Sequence, residues 1–320
     1  MNIYDKVMDS LSSILFKNSN GVNVLKLEWD HLIVLDACRC DIFRNVYRFF
    51  FSEKANFECI TSTASSTMEF VRKNMKDPEV LRKLKDVVFV NANPVIDHVL
   101  GDVIHKVFYK YIPVWKKYWN GDLGTVEPKY TYMTALKAFL RHPDKRMMVW
   151  FLQPHYPYID KRFHHINALG RKFMNRARQN TQDSNLVTLA RIIMTLIRKG
   201  YLCAGIPDRV CEYIHQTSLE AIKAYTSNLL AVLQYVKKLT GILPGKIIVT
   251  SDHGEAFGEP LNKILPLHVY GHPSRIRTPS LTQVPCLSTK NDISRHIAAR
   301  RALKEVISSN ALLAKGGHQQ

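Results

Sequence analysis

Four short runs in this chain are apolar throughout rather than alternating: "HLIVLD" (31–36), "VVFVNA" (87–92), "MMVWFL" (147–152) and "KIIVTS" (246–251). A run without a polar face is the pattern of a strand covered on both sides. Between the runs lie segments with apolar positions at helical spacing, including "DPEVLRKLKD" (77–86), "TYMTALKAFLRH" (131–142) and "SLEAIKAYTSNLLAVLQYVKKL" (218–239). Strands alternating with helices predict an α/β fold, a three-layer α/β/α sandwich around a mostly parallel central sheet. "VPCLSTK" (284–290) is expected to add an edge strand, and Asn291 or Asp292 to cap a last helix reaching about Ile307.

The stretch 160–216 breaks this alternation. It is rich in Arg, His and Asn, contains "LVTLARIIMTLIRK", and reads as a helical insertion, placed as a lid on one catalytic domain spanning 1–310. No internal repeat or low-complexity linker divides the chain. The opening "MNIYDKVMDSLSSILFKNSNG" reads as a short amphipathic helix with Ile3, Val7, Leu11 and Leu15 on one face. The tail 311–320, ending "AKGGHQQ", is expected to be disordered.

Composition adds three points. The 320 residues, 46% hydrophobic, suffice for one large core. No apolar run approaches the ~20 residues needed to span a bilayer, and the first residues lack the apolar centre and cleavage site of a signal peptide. The six cysteines are scattered, with a single C-x-C at Cys38 and Cys40 and no repeated ligand spacing. They read as reduced thiols, so a cytoplasmic location is expected. The formal charge of +18 favours polyanionic partners, with basic segments at 171–179 and "RHIAARRALK" (295–304), but no nucleic-acid module motif is present.

In open α/β sheets, ligands sit beyond the carboxyl ends of the strands. The first run ends in "LDACRCD" with Asp36, the third in "QPHYPY" with His155, and the fourth in "SDHGE" with Asp252 and His253. "ITSTASSTMEF" (60–70) is a hydroxyl-rich turn entering a helix near Thr67, and "HVYGHP" (268–273) supplies His268 and His272. Taken singly, these are ordinary: an Asp at a strand end caps helices, and a Ser/Thr cluster before Glu makes a capping box. Taken together, carboxylates and imidazoles converging on one edge suit a divalent ion such as Zn²⁺ or Mn²⁺. A serine at a helix N-terminus beside that ion can ionise and attack phosphorus.

The segments "HLIVLDACRCDIF", "SSTMEF", "FLQPHYPYI", "IVTSDHGEAFGE", "HVYGHP" and "TPSLTQVPCL" resemble, in order and across 31–290, the alkaline phosphatase superfamily. The likeness is to its sulfatase-like branch, which includes lipoteichoic-acid synthases, phosphoethanolamine transferases and many archaeal proteins. The resemblance implies an alkaline phosphatase-like fold, with Asp36, Asp252 and His253 as metal ligands. In the transferase branch the nucleophile lies four residues before the Glu of its motif, which gives Ser65, also a metal ligand. Ser66 and Thr67 stay open, since the register of such a turn can slip. His272 and His155 would bind a second metal or the substrate phosphate, and Arg39 would pair with a carboxylate or the substrate anion. Gly254 is expected to let the backbone turn sharply, and Glu255 and Glu259 to orient ligands or basic side chains.

The implied function is a metal-dependent hydrolase or transferase of phosphate esters, using one or two Zn or Mn ions and a covalent phosphoseryl intermediate. Neither Cys38 nor Cys40 lies in the C/S-x-P-x-R context that formylglycine sulfatases require. Sulfate-ester hydrolysis without formylglycine is one alternative, and a non-catalytic polyanion-binding descendant is another. The substrate would be an anionic ester, glycan- or lipid-linked. A lipid-linked one would be approached from the cytosolic face, where positive charge favours peripheral contact with anionic membrane.

Overall fold

A computed structural model describes residues 21–170, 198–262 and 267–316. The expected first amphipathic helix, residues 171–197 of the insertion with the basic segment 171–179, and the last four residues lie outside the described residues.

The four apolar runs are strands of one sheet: β1 (His31–Asp36), β3 (Val87–Asn91), β7 (Arg146–Pro154) and β9 (Gly245–Thr250). Three more strands complete it, β2 (Asn56–Thr61), β4 (Lys110–Pro113) and β12 (Gln283–Asn291), in the order β2-β12-β9-β1-β7-β3-β4. A small ribbon of β5 (Trp119–Asn120) and β6 (Thr125–Val126) lies apart. Within the main sheet only β12 runs antiparallel to its neighbours. It sits between β9 and β2, so the edge position expected for it belongs to β2. That strand has partly exposed residues along its length, which is why no apolar run announced it.

Alternate residues of each central strand enter opposite cores. Ile33, Leu35, Val149, Phe151, Ile247 and Val249 pack on one face, and Leu32, Val34, Met148, Trp150 and Ile248 on the other. The first face is covered by α1 (Cys40–Val46), α4 (Pro128–Arg141), α5 (Asp208–Ile242) and α6 (Arg295–Gly316). The second is covered by α2 (Thr67–Asn74) and α3 (Pro94–Leu100), with the helix Pro78–Leu84. This is the expected three-layer sandwich. The last helix runs past Ile307 to Gly316, so residues 311–316 are helical, where a disordered tail was expected.

The described part of the insertion is not purely helical. β8 (Tyr201–Ala204) pairs in parallel with β11 (His268–Gly271), which pairs with β10 (Ala256–Pro260) in a second, three-stranded sheet. Residues 208–216 form the start of α5, which carries a kink at Thr217 (φ −136°, ψ 45°). An aromatic core of Tyr156, Tyr158, Tyr225, Phe257 and Tyr270 joins this sheet to α5.

The cysteines depart from expectation. Cys40 pairs with Cys59 and Cys203 with Cys211, leaving Cys38 and Cys286 as free, buried thiols.

Candidate metal centre

β1 and β9 are neighbours, so the residues that leave their carboxyl ends meet. After Asp36 the chain turns through Ala37 (φ 57°), whose N–H donates to Asp252 Oδ1 at 3.2 Å. The next N–H, of Cys38, donates to Ser251 Oγ at 2.7 Å. These bonds lock the two strand ends together. Asp36, Asp252 and His253 are all buried, and one ligand atom from each lies within 4.8 Å of the others. His253 Nε2 is 3.3 Å from Asp252 Oδ2 and 3.7 Å from Asp36 Oδ1. Its Nδ1 is 2.7 Å from the Gly254 carbonyl, to which it donates, leaving Nε2 as the acceptor facing the carboxylates.

The electrostatics of this cluster call for a cation. Burial, with the neighbouring Asp252 charge, pushes the Asp36 carboxyl well above its ordinary range. Burial pushes His253 down, so no protonated imidazole neutralises the pair. Two buried carboxylates and a neutral imidazole nitrogen form a donor set that fits a divalent ion.

The three hydroxyls of "SST" separate in space. Ser65 Oγ donates to the Pro273 carbonyl at 2.9 Å and lies 3.2 Å from Glu69 Oε2, away from the carboxylate cluster. Ser66 caps α2, accepting from Glu69 N at 3.4 Å, and shares a 2.6 Å bond with Ser274 Oγ. Thr67, the first residue of α2, donates to Asp252 Oδ2 at 2.7 Å, and its oxygen is 3.3 Å from His253 Nε2. Of the three, the structure brings Thr67 to the cluster. Glu69 is what turns Ser65 aside: it accepts from Ser65 N and Arg275 N and is paired with Arg277.

A second cluster adjoins the first. His155, Glu255 and His272 offer ligand atoms within 4.8 Å of one another, and the His272 ring lies 4.7 Å from that of His253. Burial holds His155 and His272 at about 4, so both are neutral. The same burial raises Glu255 to about 7. Glu255 Oε2 is buried without any hydrogen-bond partner, an orphaned acceptor that a bound cation would satisfy. Glu255, expected from the sequence to orient ligands or basic side chains, thus stands beside the two histidines as a candidate ligand itself. His268 stays outside, with Nδ1 2.7 Å from the Gly258 carbonyl.

Arg39 meets carboxylates. It forks onto Asp41 (Nε–Oδ1 3.0 Å, Nη2–Oδ2 2.7 Å), pairs with Glu259 and donates to the Glu255 carbonyl at 3.2 Å. It therefore braces the loop that carries Glu255. Gly254 is required for close approach rather than for a left-handed turn, because a Cβ there would run into the Ser280 carbonyl.

Three positioning residues were not foreseen. Asn93 donates to Asp36 Oδ2. Tyr225 donates to the Ala37 carbonyl at 2.6 Å and accepts from Arg39 N at 2.9 Å. Asn228 Nδ2 reaches the carbonyls of His155 and Pro157 at 3.1 and 3.0 Å, and its Oδ1 accepts from Ile159 N at 2.8 Å. The one signal in the sequence was a polar side chain on the apolar stripe of a long helix.

No protein-family model matches the chain, and no curated protein sequence matches it. Solved structures similar to it belong to the group its motifs resemble. The Neisseria meningitidis lipooligosaccharide phosphoethanolamine transferase EptA is 13% identical at TM-score 0.46, over 85% of this chain. The chain spans 50% of the length of that integral membrane protein. The periplasmic domain of Escherichia coli EptC, solved in complex with Zn, is 12% identical at TM-score 0.48, covering 88% of this chain and 78% of that one. An alkaline phosphatase superfamily protein from Vibrio parahaemolyticus is 12% identical at TM-score 0.38, covering 92% and 70%.

The cytoplasmic expectation, and with it approach from the cytosolic face, is overturned. Two disulfides form where reduced thiols were expected, and disulfides persist in oxidising compartments. Among the described residues no helix is long and apolar enough to cross a membrane.

Proposed function

We propose that this chain is a metal-dependent phosphoesterase or phosphotransferase of the sulfatase-like branch, with Thr67 rather than Ser65 as its nucleophile. The observation that carries this reading is the Thr67 hydroxyl, 2.7 Å from Asp252 Oδ2 at the start of α2. Asp36, Asp252, His253 and the Thr67 oxygen would hold one divalent ion, and His155, Glu255 and His272 a second. Such ions, when bound, acidify a hydroxyl and neutralise charge on a transferring phosphoryl group.

Asp252, accepting the Thr67 hydrogen bond, holds Oγ1 beside the cluster. Oγ1 attacks phosphorus, the bond from phosphorus to the leaving oxygen breaks, and the alcohol departs with the proton Thr67 gave up. The N-terminus of α2 favours the negative phosphoryl oxygens. Water or an acceptor alcohol then attacks the phosphothreonine, the phosphorus–Oγ1 bond breaks, and the acceptor's proton restores the hydroxyl. The substrate class is an anionic phosphate ester on a glycan or lipid head group, drawn in by the chain's net charge of +18. The two disulfides support work in an oxidising compartment.

The test is turnover of aryl phosphate mono- and diesters and aryl sulfate by metal-loaded protein, comparing Thr67→Ala with Ser65→Ala. Thr67→Ala is expected to lose about 10³-fold or more in kcat, the scale of a lost nucleophile. Ser65→Ala is expected to stay within about tenfold, since it only orders the turn. The reverse ranking would make Ser65 the nucleophile, and turnover of the sulfate alone would move the chain to sulfatase chemistry.

A further inference from the structure

α6 buries its small residues and exposes its large ones. Ala298, Ala302 and Val306 pack into the core on the first face of the sheet, whereas Ile297, Leu303 and Ile307 are 45, 50 and 61% exposed. A helix that serves only its own core turns its largest aliphatics inward. At about 100° per residue, Ile297, Arg300, Leu303, Lys304 and Ile307 share one outer arc of about 120°. Arg301 stands at its rim, with Nη1 donating to the Gly241 carbonyl of α5 at 3.0 Å.

Charge decides what covers this face. Glu305 is the one acid among residues 295–309, against Arg295, Arg300, Arg301 and Lys304. It is half-buried and already engaged, accepting from the Tyr132 hydroxyl at 2.9 Å and lying 3.9 Å from Lys238 Nζ. The outer arc therefore carries aliphatic and cationic side chains without an anion. A second copy packed on it about a two-fold axis would set these cations against one another. Aliphatic residues interleaved with long basic ones instead suit a helix lying in a lipid interface, its cations reaching up to the phosphates.

We propose that the outer face of α6 docks on an anionic phospholipid bilayer. Ile297, Leu303 and Ile307 enter the head-group boundary, and Arg300, Arg301 and Lys304 meet lipid phosphates. α6 begins at the amino end of β9, where Asn291 of β12 pairs with Gly245. Through Glu305 it reaches Tyr132, near the start of α4. α4 ends where β7 begins, so its own start lies toward the carboxyl edge of the sheet. Docking by α6 thus sets head groups along the flank that rises to Asp36 and Asp252. The bilayer contact itself does not rest on the proposed reaction.

The experiment is sedimentation of the full metal-loaded chain with sucrose-loaded vesicles, phosphatidylcholine alone or mixed with phosphatidylglycerol. Salt is held at about 0.1 M, where charges are screened beyond about 10 Å. Binding to the anionic vesicles is expected, and the doubly substituted Arg300→Glu, Lys304→Glu chain should bind them about tenfold or more weakly. The doubly substituted Leu303→Gln, Ile307→Gln chain should also lose about tenfold or more, because aliphatic area no longer enters the lipid. All four positions are exposed, so both variants fold, and their turnover of a soluble aryl phosphate should match that of the native chain. Vesicle binding is read without turnover, so failure of the phosphoesterase reading leaves this test intact. No binding to anionic vesicles would overturn the proposal. Binding that only the charge-reversed chain loses would also overturn it, assigning the contact to surface charge alone. So would a lipid-free dimer that the Gln variant dissociates, or capture by polyglutamate as tight as by vesicles, which would give the face to a second copy or to an acidic protein.

Discussion

Glu255 Oε1 lies 3.2 Å from Nδ1 of His272, while the other oxygen of the same buried carboxylate accepts no hydrogen bond, with His155 Nε2 4.0 Å away. This carboxylate also touches the neighbouring cluster through His272, so the two candidate ion positions share one wall.

If both clusters bind, protein reconstituted with Zn or Mn should carry close to two equivalents. Glu255→Gln keeps the shape and removes the charge, and it should leave one equivalent, measured by elemental analysis after dialysis. An unchanged two equivalents would remove Glu255 from the ligand set.

Asn93 serves two masters. Its Oδ1 accepts from Val95 N at 2.8 Å as the cap of α3, and its Nδ2 orients Asp36. Asn93→Ala should cost about 1 kcal/mol in stability from the lost cap, and about 10- to 100-fold in metal affinity. Asn93→Ser should recover the stability but not the affinity, because its hydroxyl caps the helix without reaching Asp36. Recovery of both by Ser would show that Asp36 needs no such support.

His31 predicts a pH dependence. Burial pushes its folded value down to about 4, below the ordinary 6.5, so the unfolded chain takes a proton that the folded chain refuses. Its contribution to stability is therefore whole above pH 6.5 and is lost as the pH falls toward about 4. Between neutrality and pH 5 the loss should be about 2 kcal/mol. Urea unfolding of the native chain and His31→Gln at both pH values measures it, the variant losing less by that amount. Parallel losses in the two proteins would mean that His31 does not titrate this way.

The Cys40–Cys59 bond ties the start of α1, one residue after Arg39, to the edge strand β2. Removing it by Cys59→Ser should cost about 2–4 kcal/mol, the usual scale for a native disulfide. A reducing agent should lower the Tm of the native chain and leave a variant lacking all four paired cysteines unchanged. No response of the native chain to reductant would show that the bonds do not form in solution.

The four central strands were legible because both of their faces are covered, so each carries an unbroken buried apolar run. Their ends were legible too, since Asp36, His155, Asp252 and His253 stand where an α/β sheet gathers its chemistry, and all four are buried there. Strands that are half exposed or short, such as β2 and β8, left no such signal. Nor could cysteine spacing show pairing, because Cys40 meets Cys59 only once α1 packs beside β12 and β2.

Counting along "STASSTMEF" cannot rank Ser65, Ser66 and Thr67, which are adjacent in the chain and chemically alike. Which of them faces Asp252 depends on where α2 begins and on Glu69, buried and held by Arg277 from a segment about two hundred residues away. Likewise Glu255, readable as a helix-terminal or supporting acid, becomes a ligand candidate because β10 follows Gly254 as a strand and turns its side chain between two histidines. Residue types and periodicity are local properties and survive in the sequence. Which hydroxyl meets which carboxylate depends on contacts between distant segments, and only folding brings those together.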